Sequence, residues 1–217
     1  PSPGFIGAHE PEHVCPASVD DAQRLLDSGA GLVKLFTLAP EQDAGASVTK
    51  FLTGQGVVVS AGHCDPSLDQ LKAAIDNGLS MVTHFGNGCP VELPRHDNVL
   101  QRFLSLREHL WFCFIPDGAH VDFIALKNYL DLVGVSRSIM TTDAISAAKL
   151  GPGLHEISGI SVEVDEAGVA RRPGSPNLAG STITMPGIRR NLSESLGLGE
   201  DEITSLVDLN PRAALSL

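Results

Sequence analysis

The sequence predicts a parallel α/β fold of the (β/α)-barrel type, of which this chain covers roughly the C-terminal five strands. Three observations predict it. Short apolar runs recur at 32–38, 57–61, 80–83, 110–115 and 138–142, with starts about 25 to 30 residues apart. Helix-like stretches lie between most of them, and strand–helix alternation at that period means βα units on a parallel sheet. Each run also ends in polar, chemically capable residues, and the carboxyl ends of the strands are where a barrel builds its active site. A doubly wound sheet is the alternative. It would want a Gly-rich phosphate turn after an early strand, and no GxGxxG occurs.

The elements follow in order. A helix over 19–26 precedes the first run, which ends Thr37-Leu38-Ala39-Pro40-Glu41. The second run ends Ser60-Ala61-Gly62-His63. A helix over 67–76 follows, with apolar residues at 68, 71, 74 and 75 and Asp65 or Ser67 to cap it. The third run ends Thr83-His84-Phe85-Gly86-Asn87, and the fourth ends Pro116-Asp117-Gly118-Ala119-His120. Positions 121, 124, 126, 130 and 133 carry the next helix, and the fifth run ends Thr141-Thr142-Asp143-Ala144. The runs lack polar alternation, which predicts strands buried on both faces. Beyond them, 159–164 alternates and returns through Glu166-Ala167-Gly168 to 169–171 as a hairpin. A loop covers 173–176, and 184–196 and 201–206 read as helices.

The composition is globular: 217 residues, 42% hydrophobic and 19% charged, which excludes a disordered tail, a collagen-like repeat and a coiled coil. No stretch approaches the ~18 apolar residues of a membrane span. The net charge is −11, and no Lys/Arg run exceeds two residues, so no nucleic-acid or membrane partner is expected. Cys15, Cys64, Cys89 and Cys113 lie far apart without a CxxC, which predicts free thiols in a reducing compartment. A complete barrel takes about 250 residues. Pro1-Ser2-Pro3-Gly4 is neither a signal peptide nor a start, so the chain is expected to be part of a longer polypeptide.

His63 and His84 are the first chemical candidates, because each follows a run and the two runs are consecutive. Neighbouring strands lie about 4.8 Å apart. Two imidazoles there can share one divalent ion, or can simply bond backbone groups at the strand ends. Asp143 can take a proton from a metal-bound water and return it to a leaving amine, or can cap the segment that follows. His120 can polarise a carbonyl or bind a sugar hydroxyl, and a structural role is equally open. Asp117 is suited to cap a turn through Gly118. His9 and His13 sit in a Pro-rich loop without strand context, so metal binding there is not expected. Arg95 suits phosphate recognition, with a solvated loop charge as the plainer reading. Trp111 reads as core.

Taken together, these strings resemble N-acetylglucosamine-6-phosphate deacetylase, of the amidohydrolase superfamily. The match runs in order through Gly7-Ala8-His9, Thr37–Glu41, Ser60–His63, Thr83–Asn87, Asp117–His120, Thr142–Ala144, Leu178-Ala179-Gly180-Ser181 and Asn210-Pro211. The resemblance implies a TIM-type (β/α) barrel of the amidohydrolase kind, with 1–217 a partial catalytic domain. The N-terminal barrel strands and the flanking β-sandwich domain would be absent from the chain. It implies that His63 and His84 are metal ligands and that Asp143 is the general acid/base. His120 would contact substrate and stabilise the oxyanion. Asn87, Gly88 and Arg95 would bind the sugar phosphate, the arginine reaching across a homodimer interface. Ala8, Leu178, Ala179 and Gly180 would line the sugar pocket.

The implied cofactor is a divalent metal ion, zinc first, with iron, manganese or cobalt also admitted. The implied reaction releases acetate and glucosamine 6-phosphate, in cytoplasmic amino-sugar catabolism. The family's third protein metal ligand, a Glu, falls before Pro1. Phe85-Gly86 and Gly88-Cys89 depart from the family's usual residues, which leaves the sugar preference open. Two other readings stay open: an amidohydrolase acting on a different acylated sugar or cyclic amide, and a non-catalytic sugar-phosphate-binding remnant.

Overall fold

The computed structural model describes residues 1–157 and 159–217. It divides into two compact units, Pro1–Cys113 with Pro211–Leu217, and Phe114–Asn210. The expected parallel sheet is present. Its strands are β1 (Leu35–Leu38), β2 (Val58–Ala61), β3 (Leu79–Val82), β4 (Trp111–Phe114) and β5 (Ser138–Met140), hydrogen-bonded in the order β1-β2-β3-β4-β5. Pairing is parallel with Leu38 beside Ala61, Ala61 beside Val82, and Val82 beside Phe112. β2 to β5 are largely buried, as continuous apolar runs require. β1 departs from that expectation: Leu35 is 42% exposed.

In the first unit the helices are α1 (Val19–Ser28), α2 (Ser47–Gly54), α3 (Leu68–Asp76) and α4 (Val99–Ser105). Local chemistry sets their starts. Ser18 accepts the Asp21 N–H for α1, and Ser67 with Gln70 forms a full capping box for α3, so Ser67 rather than Asp65 is the cap. Asn98 accepts the Gln101 N–H for α4. The sequence reading missed α4, and it also missed α2. Its start is held by buried Asp43, whose two carboxylate oxygens accept the Val48 and Thr49 amides from five and six residues away. That spacing is longer than the usual cap. Leu52, Val59, Leu71 and Leu79 fill this unit's core, and Phe85 packs edge-on to Phe103 and Phe112.

In the second unit, α5 (Phe123–Val133) starts at Asp122, whose side chain accepts the Ile124 N–H. Leu126 is buried with Ile115 and Met140, and Tyr129 stacks on Phe114. The hairpin is larger than expected. Residues β6 (Gly153–Ile157), β7 (Ile160–Val164) and β8 (Ala170–Arg171) form a three-stranded antiparallel sheet, of which β6 was missed. Asp165 holds the β7–β8 turn by accepting the Ala167 and Val169 amides and an Arg171 ion pair. Helix α6 (Met185–Glu194) presents buried Ile188 and Leu192 to the core. The chain closes with α7 (Glu200–Thr204), a π-helical segment over Ser205–Leu209, and α8 (Asn210–Leu215), so the helical tail outlasts the predicted 201–206.

The four cysteines are free. Burial pushes the Cys113 thiol up to about 12 and raises Cys64 and Cys89 as well. Among the described residues, no helix is long and apolar enough to cross a membrane.

Candidate functional site

The candidate residues fall into two groups, one in each unit. In the first unit, β2 and β3 each run directly into a histidine. Gly62 accepts no Cβ at its position, because one would stand 2.8 Å from Thr37 Cγ2 and 3.0 Å from Thr83 Cβ. Beneath it, the strand-end hydroxyls are linked: Thr83 Oγ1 lies 2.6 Å from Ser60 Oγ and 3.1 Å from Thr37 Oγ1.

His63 and His84 turn their rings toward each other, with the two Nε2 atoms 3.0 Å apart and the ring planes at 82°. Nδ1 of His63 lies 2.7 Å from the Phe5 carbonyl oxygen. A carbonyl only accepts, so Nδ1 carries the proton, and the Nε2 of neutral His63 presents a lone pair. Burial and the neighbouring His84 charge lower His63 to about 4, against the Phe5 carbonyl, which raises it. The ring is therefore neutral at neutral pH, the form that binds a metal. Two nitrogens on one tetrahedral zinc ion, each at about 2.0–2.1 Å, stand about 3.3 Å apart, close to the observed spacing. The pair thus fits two positions of a divalent ion. Among the described residues, no group of three or more His, Cys, Asp or Glu side chains could hold one.

The surrounding loops are tied to this pair. Glu41 Oε1 accepts the Ser2 hydroxyl at 2.5 Å and the Asp65 amide at 2.6 Å, joining the chain's first residues to the segment after His63. Arg102 bridges Asp65 and Asp97. Gly88 has φ +59°, and its carbonyl accepts the Cys64 N–H at 2.9 Å. A Cβ there would lie 3.0 Å from Cγ and Nδ1 of His63, so only glycine lets this loop cross the ring so closely. Two buried polar atoms nearby have no hydrogen-bond partner, Glu41 Oε2 and Asn87 Nδ2. Arg95 stands exposed in the loop that follows. The His9 ring lies 5.4 Å from that of His63, a proximity its Pro-rich loop did not reveal.

The second unit holds Asp143, His120 and the residues 178–181. Among the described residues no helix begins at Asp143; its carbonyl accepts the Ser181 N–H at 2.9 Å. Ile145 N–H in turn donates to the Ser181 carbonyl. Gly180 has φ +67°, and a Cβ on it would come within 2.6 Å of Ile145 Cγ2 and 3.0 Å of the Asp143 carbonyl oxygen. Gly180 and Ser181 are thus laid against the Asp143 segment, while Leu178 bridges to Arg171. Ala179 is buried, and its N–H donates to the Ala170 carbonyl.

Asp117 caps its turn as expected, and it does more. Oδ1 accepts the Ala119 and His120 amides, while Oδ2 accepts His120 Nδ1 and the Ser181 hydroxyl, both at 2.7 Å. Burial alone would raise this carboxyl, but the hydrogen bonds from the His120 side chain and amide, that ring's charge and the Ser181 hydroxyl bring it down to about 2. The sequence offered one signal for it, the placement of Asp and His three apart after a strand.

Three of the predicted residues share a backbone feature with Ala30, Ala46, Lys149 and Ser216. His63, His84 and Asp143 all have left-handed φ values, +52°, +32° and +48°. Non-glycine residues seldom take that region, and they persist there only where surrounding structure imposes it, typically at functional sites.

No family model matches the chain. It is similar along its whole length to N-acetylglucosamine-6-phosphate deacetylases. The Bacillus subtilis protein of that name is 29% identical over 100% of this chain and 54% of its own length, and the Bos taurus protein is 29% identical over 97% and 53%. An Escherichia coli N-acetylgalactosamine-6-phosphate deacetylase is 28% identical over 100% and 56%. Among solved structures, an Asp-to-Ala mutant of the Mycobacterium smegmatis N-acetyl-D-glucosamine-6-phosphate deacetylase, in complex with N-acetyl-D-glucosamine-6-phosphate, superposes with a TM-score of 0.92. It is 31% identical and covers 100% of this chain and 57% of that one. The chain therefore spans about half the length of the proteins it matches.

Proposed function

We propose that the protein carrying this chain hydrolyses the N-acetyl group of N-acetylglucosamine 6-phosphate, giving glucosamine 6-phosphate and acetate, with a divalent metal ion as cofactor. The observation that supports this most directly is the facing Nε2 atoms of His63 and His84 at adjacent strand ends, in a chain similar throughout to deacetylases of this substrate. In this reading the five-stranded sheet is part of a closed (β/α) barrel. The setting is cytoplasmic amino-sugar catabolism and the assembly a homodimer.

His63 and His84 would hold the ion, zinc being the first choice for paired neutral imidazoles. When bound, it supplies Lewis acidity and lowers the pKa of a water. Asp143 accepts the proton of the attacking water and later gives it to the departing sugar amine. His120, with Nε2 protonated, donates a hydrogen bond from that nitrogen to the oxygen of the acetyl carbonyl as charge develops there. The orphaned Asn87 amide and the Gly88 backbone bind the sugar phosphate together with Arg95, and Ala8 and Leu178–Gly180 line the sugar.

Replacing Asp143 by Asn tests the mechanism. Acetate release should fall about 10²- to 10⁴-fold while metal content stays at the wild-type level; normal turnover in that variant would sink it. A second reading, the galactosamine epimer, is favoured by the Escherichia coli relative named for it. Phe85 does not decide between them, because its side chain is buried against Phe103 and Phe112. Relative kcat/KM for the two N-acetylhexosamine 6-phosphates does.

A further inference from the structure

We propose that Asp117 is the positioning residue of His120, holding the ring by Nδ1 so that only Nε2 faces substrate, with Ser181 joining this pair to the segment of Asp143. The kinetic part rests on the reading of His120 as a substrate contact. The structural part does not.

The Asp117 carboxylate receives four donors. Oδ1 takes the Ala119 amide at 2.9 Å and the His120 amide at 2.8 Å; Oδ2 takes His120 Nδ1 and Ser181 Oγ at 2.7 Å each. The side chains of His120 and Asp117 are only 6% and 12% exposed, so water competes weakly. An ionised carboxylate has no proton to offer. Nδ1 must therefore carry one, and the neutral ring is held as the Nδ1–H tautomer, the minor form of a free imidazole. When Nε2 also gains a proton, the ring becomes a cation paired with Asp117, and the hydrogen bond it donates from Nε2 is charge-assisted.

Ser181 extends this arrangement. Its hydroxyl donates to Asp117 and accepts the Ile183 amide, its N–H donates to the Asp143 carbonyl, and its carbonyl accepts the Ile145 amide. One buried residue, 3% exposed, thus fixes the backbone of Asp143 and the carboxylate behind His120 together. The sequence string Leu178–Ser181 has its physical rationale here as much as in any sugar contact.

The decisive measurement is ¹⁵N NMR of histidine-labelled protein, metal-loaded, at a pH where His120 is neutral. Wild type should show protonated Nδ1 and bare Nε2 at His120. In Asp117→Asn, the two backbone amides keep the amide oxygen at the Oδ1 position, so the NH₂ group faces Nδ1 and the tautomer inverts to Nε2–H. Ser181→Ala should leave the tautomer as in wild type. The kinetic counterpart for Asp117→Asn is a fall in kcat of about tenfold or more, with KM little changed, because a charged oxyanion donor is replaced by a neutral one.

An Nε2–H tautomer in the wild-type protein overturns the proposal without any variant, so an Asp117→Asn protein that fails to fold does not shield it. An unchanged tautomer in a folded Asp117→Asn also overturns it. If the tautomers behave as expected but no acetate is released by wild type, the positioning of His120 stands and the deacetylase reading falls.

Discussion

The two groups of candidate residues are finished to different degrees. In the second unit, every oxygen lone-pair direction of Asp117 that matters is filled: two amides, one imidazole and one hydroxyl. In the first unit, His63 and His84 face each other across 3.0 Å, and Glu41 Oε2 and Asn87 Nδ2 are buried without a hydrogen-bond partner. A buried unsatisfied polar atom costs about 1–3 kcal/mol. The comparison teaches that the histidine end leaves buried polar atoms unpartnered by the chain, whereas the Asp117 carboxylate is satisfied by the chain's own donors.

The largest test breaks the comparison at its histidine side. His63→Ala or His84→Ala should abolish stoichiometric metal binding and lower acetate release at least about 10³-fold, read by metal analysis and turnover. Wild-type protein should gain about 2.7 kcal/mol of stability when metal is raised to 100 times its dissociation constant, and neither variant should. Metal stabilisation that survives both substitutions would place the ion elsewhere.

The next effect belongs to the Asp117 side and is driven by acid. Asp117 titrates at about 2 in the folded chain against an ordinary 3.8. Between those values the unfolded chain binds more protons. The stabilisation is therefore fully present above pH 3.8 and is lost as pH falls through 2, amounting to about 1–2 kcal/mol once partial solvent screening is allowed for. Urea unfolding of wild type and Asp117→Asn at pH 6 and pH 2 should show this part of the acid sensitivity only in wild type.

Much of this arrangement was legible in the sequence, and the exceptions are instructive. The five strands, α1, α3, α5 and α6 lie where the apolar runs and helix-like stretches of the sequence fall. β6 was missed because Leu154-His155-Glu156 reads as loop, and its pairing with β7 depends on a partner strand rather than on its own pattern. α2 was missed because its start depends on Asp43, whose side chain bonds amides beyond ordinary capping distance. For the site, sequence supplied residue types but not their conformations. Nothing in Gly62-His63 or Thr142-Asp143 announces a left-handed φ. Nor does the Pro-rich string Pro1–Pro11 announce that Phe5 will orient His63 and that His9 will stand beside it. Those are tertiary facts, set by where the loop lands.

The smallest and sharpest test uses one glycine from each unit. Gly88 and Gly180 share a left-handed backbone, φ +59° and +67°, so alanine costs each about 1 kcal/mol in strain alone. Their neighbours differ. At Gly180 a methyl group meets the Ile145 side chain at 2.6 Å and the Asp143 carbonyl at 3.0 Å, inside a segment already pinned through Ser181. At Gly88 it meets the ring of His63 at 3.0 Å. Gly180→Ala should therefore lower stability by about 2 kcal/mol or more and leave metal affinity unchanged. Gly88→Ala should lower stability less, by about 1 kcal/mol, and weaken metal affinity about tenfold, because the His63 ring is the group that must move. Chemical unfolding and metal titration of the two variants separate these outcomes. Equal metal affinities in both would mean that the His63 ring tolerates displacement, and that the histidine end is less dependent on its supporting loop than the 3.0 Å approach implies.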